Sequence, residues 1–117
     1  MIKQFLLAAA LAASVTTTHT TGTLATKGTN GAWATVTAEM ADSAVNVVNV
    51  SASANGKNTY LDCEFIDPYH QTLLKENHVL LCATVVRGLA LPSRLTIKLT
   101  NENNGPVAYD VAVETTK

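Results

Sequence analysis

The chain has 117 residues and a formal net charge of −1, which suits one domain and leaves too few residues for two. Charged residues make up 15% of the sequence, and Arg87, Arg94 and Lys98 are scattered rather than clustered. The composition therefore excludes the positive stripe of a nucleic-acid-binding protein and the polybasic patch of a membrane-surface protein.

The first residues have the three parts of a secretory signal peptide. Lys3 gives a positive start, an apolar run covers residues 5–13, and small residues follow. The run is about half of the roughly 20 residues that span a bilayer, so we expect no membrane span after cleavage. A buried helix rich in Ala and Leu is the alternative reading of residues 1–14.

Cleavage at one of residues 12–14 would leave seven Lys and Arg against nine Asp and Glu, because only Lys3 is lost. We predict a signal peptide over residues 1–14 and a mature protein that is exported to the periplasm, the cell surface or the medium.

A Thr-rich arm follows over residues 15–31. Eight of the fourteen residues from Thr16 to Thr29 are Thr, and Lys27 is the only formal charge among them. The arm lacks the large apolar side chains that offset the entropy of ordering, yet Thr is β-branched and suits strands. The sequence leaves two alternatives, a flexible tail and a strand that pairs at a sheet edge.

From Trp33 onward the hydrophobic period is two, which is typical of strands with one buried and one solvent-facing side. Four segments alternate cleanly. Their predicted inward residues are Ala34, Val36, Ala38 and Met40; Leu61, Cys63 and Phe65; Leu95, Ile97 and Leu99; and Val107, Tyr109, Val111 and Val113.

Two further apolar segments do not alternate cleanly. The segment 44–53 changes phase near Val47 and Val48, which predicts a β-bulge. The segment 78–88 is apolar on both faces, which predicts a central or doubly covered strand.

Turn residues separate these segments. Asn55-Gly56 is the pair favoured in tight hairpins, and residues 101–106 form a polar turn between two clean strands. Six strands, or seven with the arm, predict an all-β fold: an antiparallel, immunoglobulin-like β-sandwich over residues 32–117. A β-barrel is the alternative architecture.

Both cysteines flank one stretch, Cys63 to Cys82. In an exported protein two cysteines most simply form one disulfide, and closing a loop of this size stabilises the fold by about 3 kcal/mol. Inside the loop, Asp67-Pro68 has the composition of a helix start. It predicts a short helix over residues 68–77, with an irregular loop as the alternative.

The sequence has no pattern typical of a metal site or a catalytic centre. The two cysteines lack the C-x₂₋₄-C spacing of zinc ligands, and His70 and His78 are not four residues apart as in a helical zinc site. Asp67, His70 and His78 remain a weak alternative metal set. No nucleophile elbow or phosphate-binding loop is present, so we expect no catalytic residues and no cofactor.

Trp33, the only Trp, falls on the polar side of its strand, where it either packs under a loop or anchors a protein partner. Tyr60, Ile66 and Tyr69 could extend such a partner-binding surface.

The sequence therefore favours a non-catalytic structural or protein-interaction domain, a subunit of an extracellular or cell-surface assembly that associates with itself or with a protein partner. The alternatives are a small-ligand or metal-binding module built on the 63–82 loop, and an inhibitor or effector that blocks another protein.

Overall fold

The computed structural model describes residues 14–41, 44–87 and 93–117, and these residues form strands and turns. Nine strands lie in this part of the chain. They are β1 Val15–Leu24, β2 Trp33–Met40, β3 Val45–Ala54, β4 Lys57–Thr59, β5 Leu61–Ile66, β6 Thr72–Val79, β7 Leu81–Arg87, β8 Ser93–Thr100 and β9 Val107–Thr116. The predicted signal peptide, residues 1–14, lies outside the described residues except for Ser14.

The strands form two antiparallel sheets that pack face to face, which confirms the predicted all-β sandwich. Sheet A has the order β1-β9-β3, and the far edge of β3 is shared by β7 and β4. Sheet B has the order β2-β8-β5-β6. The count exceeds the predicted six or seven strands because β4 and β6 lie in segments for which the sequence predicts a turn and a helix.

The core lies between the two sheets, where the period-two segments place their inward side chains. The predicted inward residues of β2, β5, β8 and β9 line it, with Ala34 and Tyr109 only partly buried. The largest fully buried apolar side chains are Phe65, Leu24, Leu61, Leu95, Ile97, Leu99, Val48, Val50, Val107 and Val111. Alternation predicted these faces correctly because each strand covers the core on one side only.

The predicted bulge in β3 is wrong. The register of β3 against both β7 and β9 is continuous across Val47 and Val48. The hydrophobic pattern of the sequence changes phase here because a polar residue, Asn46, is buried while Val45 and Val47 face outward. The Asn46 amide is satisfied at this buried position: its Oδ1 accepts from Ala41 N at 3.2 Å and from Thr115 Oγ1 at 2.9 Å.

The predicted Asn55-Gly56 hairpin is confirmed. Ala54 pairs with Lys57, so the β3–β4 loop has two residues, and φ is 53° at Asn55 and 77° at Gly56. Two positive φ values define a type I′ turn, whose twist matches that of the flanking strands.

The predicted helix over 68–77 is wrong, because most of this segment is strand β6, which forms a hairpin with β5. Asp67 does cap a turn, but the turn reverses the chain instead of starting a helix. Its Oδ1 accepts from Tyr69 N and Gln71 N, both at 2.9 Å, and Asp67 N donates to Gln71 O at 2.9 Å. An Asx turn and an N-cap use the same residue type, and the sequence does not distinguish them.

The prediction of a central strand within 78–88 is also wrong. β6 ends at Val79, and β7 begins at Leu81 on the opposite sheet. β7 pairs only with β3 among the described residues, so it is an edge strand. It is apolar on both faces because one side covers the core while the other side is an exposed apolar surface.

Candidate functional site

The disulfide joins the two sheets. Cys63 on β5 of sheet B is bonded to Cys82 on β7 of sheet A, which confirms the predicted pair, and their Cα atoms are 6.6 Å apart. Both residues are buried, at 2% and 0% exposure. The bond therefore fixes the edge strand β7 to a central strand of the facing sheet. Such a buried bond is consistent with an oxidising, exported location.

Sheet A is open at both edges within the described residues. β1 forms one edge and pairs only with β9, while β7 forms part of the other edge and pairs only with β3. An open edge presents a row of unpaired backbone N–H and C=O groups that another strand can bond. Sheet A therefore presents two edges, β1 and β7, at which a further strand could pair.

The Thr-rich arm contributes the first of these edges as an ordered strand. β1 pairs with β9 over ten residues, from Val15 opposite Thr116 to Leu24 opposite Val107. All residues from 15 to 21, which we name the exposed segment, are exposed on both faces of the sheet. Its described side-chain contact to β9 is His19 Nδ1 to Asp110 Oδ1 at 3.0 Å. The exposed segment is held mainly by backbone hydrogen bonds.

The other end of β1 is anchored firmly. Leu24 is 1% exposed in the core. The buried Asn101 side chain donates from Nδ2 to Ala25 O at 2.9 Å and to Gly105 O at 2.8 Å, and Lys27 Nζ lies 3.5 Å from Glu102 Oε2. β1 thus leaves a rigid corner of the sandwich and extends along β9 into solvent.

The second open edge carries an apolar surface on its outward face. Leu81 and Val85 on β7 are 56% and 48% exposed, and Val85 lies opposite the half-buried Val47 of β3. Sequence reasoning missed this surface. The position of Cys82 could have revealed this surface. A cysteine that is bonded across the core points inward, so the neighbouring residues of its strand point outward.

Both edge strands of sheet B, β2 and β6, carry charged side chains. β6 carries Lys75 and Glu76 and has register shifts at both ends of its pairing with β5. β2 carries Glu39, whose Oε1 accepts from Arg94 Nε at 3.0 Å. Charges and bulges of this kind discourage strand addition.

The four aromatic and aliphatic residues predicted to contact a partner do not form one patch. Trp33 begins β2 and is 68% exposed, so it does not pack under a loop. Tyr60 is 42% exposed and stacks on His78 with ring centroids 4.1 Å apart. Ile66 and Tyr69 lie at the other end of β5, where Tyr69 is 83% exposed in the turn that joins β5 to β6.

The weak alternative metal set is not brought together. Asp67 and His70 share the β5–β6 turn, whereas His78 lies near the far end of β6. Seven strand residues lead from the turn to His78, which places the His78 backbone about 20 Å from the turn. The Asp67 carboxylate already accepts two backbone hydrogen bonds through Oδ1. In the described part of the chain no group of three His, Cys, Asp or Glu residues could hold a metal ion.

Comparison with known proteins gives no relative: no protein-family model matches the chain, and no curated protein is significantly similar to it. Residues 14–41, 44–87 and 93–117 contain no helix of the length and hydropathy needed to cross a membrane.

Proposed function

We propose that the chain is an exported, non-catalytic structural or protein-interaction domain, and that it takes part in an extracellular or cell-surface assembly through sheet A. The observation that carries the proposal is the contrast between the two sheets. On sheet A, β1 carries no Lys, Arg, Asp or Glu and no register shift, and β7 presents an exposed apolar strip at Leu81 and Val85, whereas on sheet B β2 carries Glu39 and β6 carries two charges and register shifts. Strand addition at such an edge is a common mode of protein association.

Export is supported by the signal-like residues 1–14 and by the buried disulfide. Intact-mass measurement of protein secreted by its native host, combined with thiol labelling, tests this part. We expect a mass reduced by the leader and by two hydrogens, with no reactive thiol. An uncut chain with two free thiols would contradict export.

Association is tested on the secreted mature protein by light scattering and sedimentation over a wide concentration range. Lysine is placed on each open edge of sheet A, as Thr17→Lys on β1 and Val85→Lys on β7, and Thr35→Lys on β2 serves as the matched control. We expect self-association or partner binding that at least one sheet A variant weakens and the control does not. Equal binding by all three variants would place the interaction elsewhere.

A second candidate function, an effector that blocks another protein, is favoured by the tip of the β5–β6 hairpin. Tyr69 is 83% exposed there, on a turn held rigid by the Asp67 hydrogen bonds. A large aromatic side chain on a rigid turn loses little entropy on binding and is typical of interface hot spots. Loss of a one-to-one complex on Tyr69→Ala, with binding retained in the sheet A variants, would favour this function.

A further inference from the structure

We infer that the free edge of β1 pairs with the same edge of a second copy of the chain, antiparallel and about a two-fold axis. The inference rests on the proposed function and names the partner of one sheet A edge. It follows from the direction of the backbone groups, the composition of the strand and the space around it.

The backbone groups that face the free edge can be assigned. Lys117 N donates to Ser14 O at 3.0 Å, and these two residues continue the β1–β9 register one position beyond Val15 opposite Thr116. Hydrogen-bonded and non-hydrogen-bonded pairs alternate along an antiparallel ladder. The even-numbered residues of β1 therefore bond β9, while the odd-numbered residues, including Thr17, His19 and Thr21, direct their N–H and C=O groups to the free edge.

β1 lacks each device that natural proteins use to blunt an edge strand. It is ten residues long and contains no Lys, Arg, Asp, Glu or Pro, and its pairing with β9 has no register shift. By contrast, β2 carries Glu39, β4 has three residues, β6 carries charges and bulges, and β7 has seven residues and ends at Arg87. Because strands add most readily to long, flat, uncharged edges, β1 is the edge best suited to pairing.

A second copy fits this edge because β1 complements itself. An antiparallel two-fold pairing centred on His19 places Thr17 opposite Thr21 and Thr18 opposite Thr20 of the second copy. Cross-strand Thr pairs are favourable, and no formal like charges face each other. The exposed segment is open to solvent on both faces, so sheet B does not obstruct the approach of another sheet. The product is one continuous sheet across both copies.

Thr17→Pro tests the pairing, because proline removes an N–H that faces the free edge and leaves the bonds to β9 intact. By symmetry two donors are lost per dimer, so we expect the dissociation constant of the dimer to rise at least about ten-fold. The melting temperature of the monomer should change little. Thr17→Lys provides an independent variant that keeps the N–H but adds a charge, and Thr35→Lys on β2 is the control that leaves the dimer intact.

His19→Cys provides a direct readout of the geometry. Directly opposite residues of a hydrogen-bonded antiparallel pair have Cα atoms about 5.5 Å apart, a separation that a disulfide can bridge. Under mild oxidation we expect a disulfide-linked dimer of the secreted protein on a non-reducing gel. Thr35→Cys, equally exposed on an edge strand of sheet B, should give only the background level of cross-linking.

Three results would overturn the inference, and they differ in what they imply for the proposed function. A dimer that is lost on Val85→Lys but kept in both Thr17 variants would move the contact to β7 and leave the proposed function standing. A protein that stays monomeric at every concentration but binds another protein through sheet A would overturn the inference and also leave the proposed function standing. A monomer that binds no protein would overturn both proposals.

Discussion

Tyr109 lies across Gly22. The two residues are directly opposite in the β1–β9 register, and a Cβ atom built on Gly22 would come within 2.7 Å of Tyr109 Cε2. The half-buried Tyr109 ring therefore occupies the volume that any other side chain at position 22 would fill. This contact marks the point where β1 passes from the buried Leu24 to the exposed segment.

Gly22→Ala should consequently destabilise the protein by about 1–3 kcal/mol, because the Tyr109 ring must leave its position to make room. Urea denaturation of the protein measures the change in the free energy of unfolding. Gly105→Ala is the matched control, since a Cβ at that glycine would meet no atom of the described residues within 4 Å, its two chain neighbours apart. Equal stability of the two variants would show that the Tyr109 side chain moves aside freely.

Removal of the disulfide by the double change Cys63→Ala and Cys82→Ala should lower the free energy of unfolding by about 3 kcal/mol in the chain-entropy model. The sheet architecture should persist, because the core packs around Phe65 and its apolar neighbours independently of the bond. Circular dichroism during urea titration checks both statements. A loss below about 1 kcal/mol would show that packing alone fixes β7 to the facing sheet.

Asn101→Ala should destabilise the fold by about 3 kcal/mol, because the carbonyls of the half-buried Ala25 and Gly105 lose their donor and the side chain of Asn103 loses one of its two acceptors. Asn104→Ala, three residues along the same turn and exposed, should be nearly neutral. Thermal melts of the two variants side by side make the comparison. Similar melting temperatures would mean that water replaces the Asn101 amide.

His70→Gly should leave stability unchanged or raise it by up to about 1 kcal/mol, because φ at His70 is 65°, in the left-handed region that disfavours residues with a Cβ. Gln71→Gly, at an ordinary φ in the same turn, should lower stability by about 0.5–1 kcal/mol. Urea denaturation distinguishes the two. A marked loss on His70→Gly would reveal a contact of the imidazole that the structure does not contain.

The sequence predicts the sandwich well where one side of a strand faces the core and the other faces water. Leu95, Ile97 and Leu99 are such a case, since their alternation with polar residues fixes both the strand and its orientation. The disulfide was predictable for a different reason, because a chain with two cysteines has a single intramolecular pairing.

The failures arise where a local signal has two physical outcomes. Asp67 caps a turn in either a helix or a hairpin, and only pairing with the distant β5 residues decides between them. Segment 78–88 is apolar on both sides, which suits a central strand and also an edge strand with an exposed apolar face. The position of β7 depends on contacts with β3, 30 to 42 residues earlier in the chain.

The candidate site was predictable only in part. The sequence suggested that the Thr-rich arm could be a strand, but it does not reveal that β9 is its partner, because the two are about 90 residues apart. The exposure of Leu81 and Val85 was missed altogether, since apolar composition alone does not indicate which face of a strand is covered.

The register of β1 against β9 also determines how the domain responds to mechanical load. Val15 lies opposite Thr116, so the two strands enter the ladder from the same end of the sandwich. A force that pulls residues 15 and 116 apart would load one hydrogen-bonded pair at a time, as in opening a zipper, instead of shearing all pairs together. The exposed segment would peel away at low force, while the anchored corner at Leu24 and the buried disulfide would keep the remaining sandwich closed.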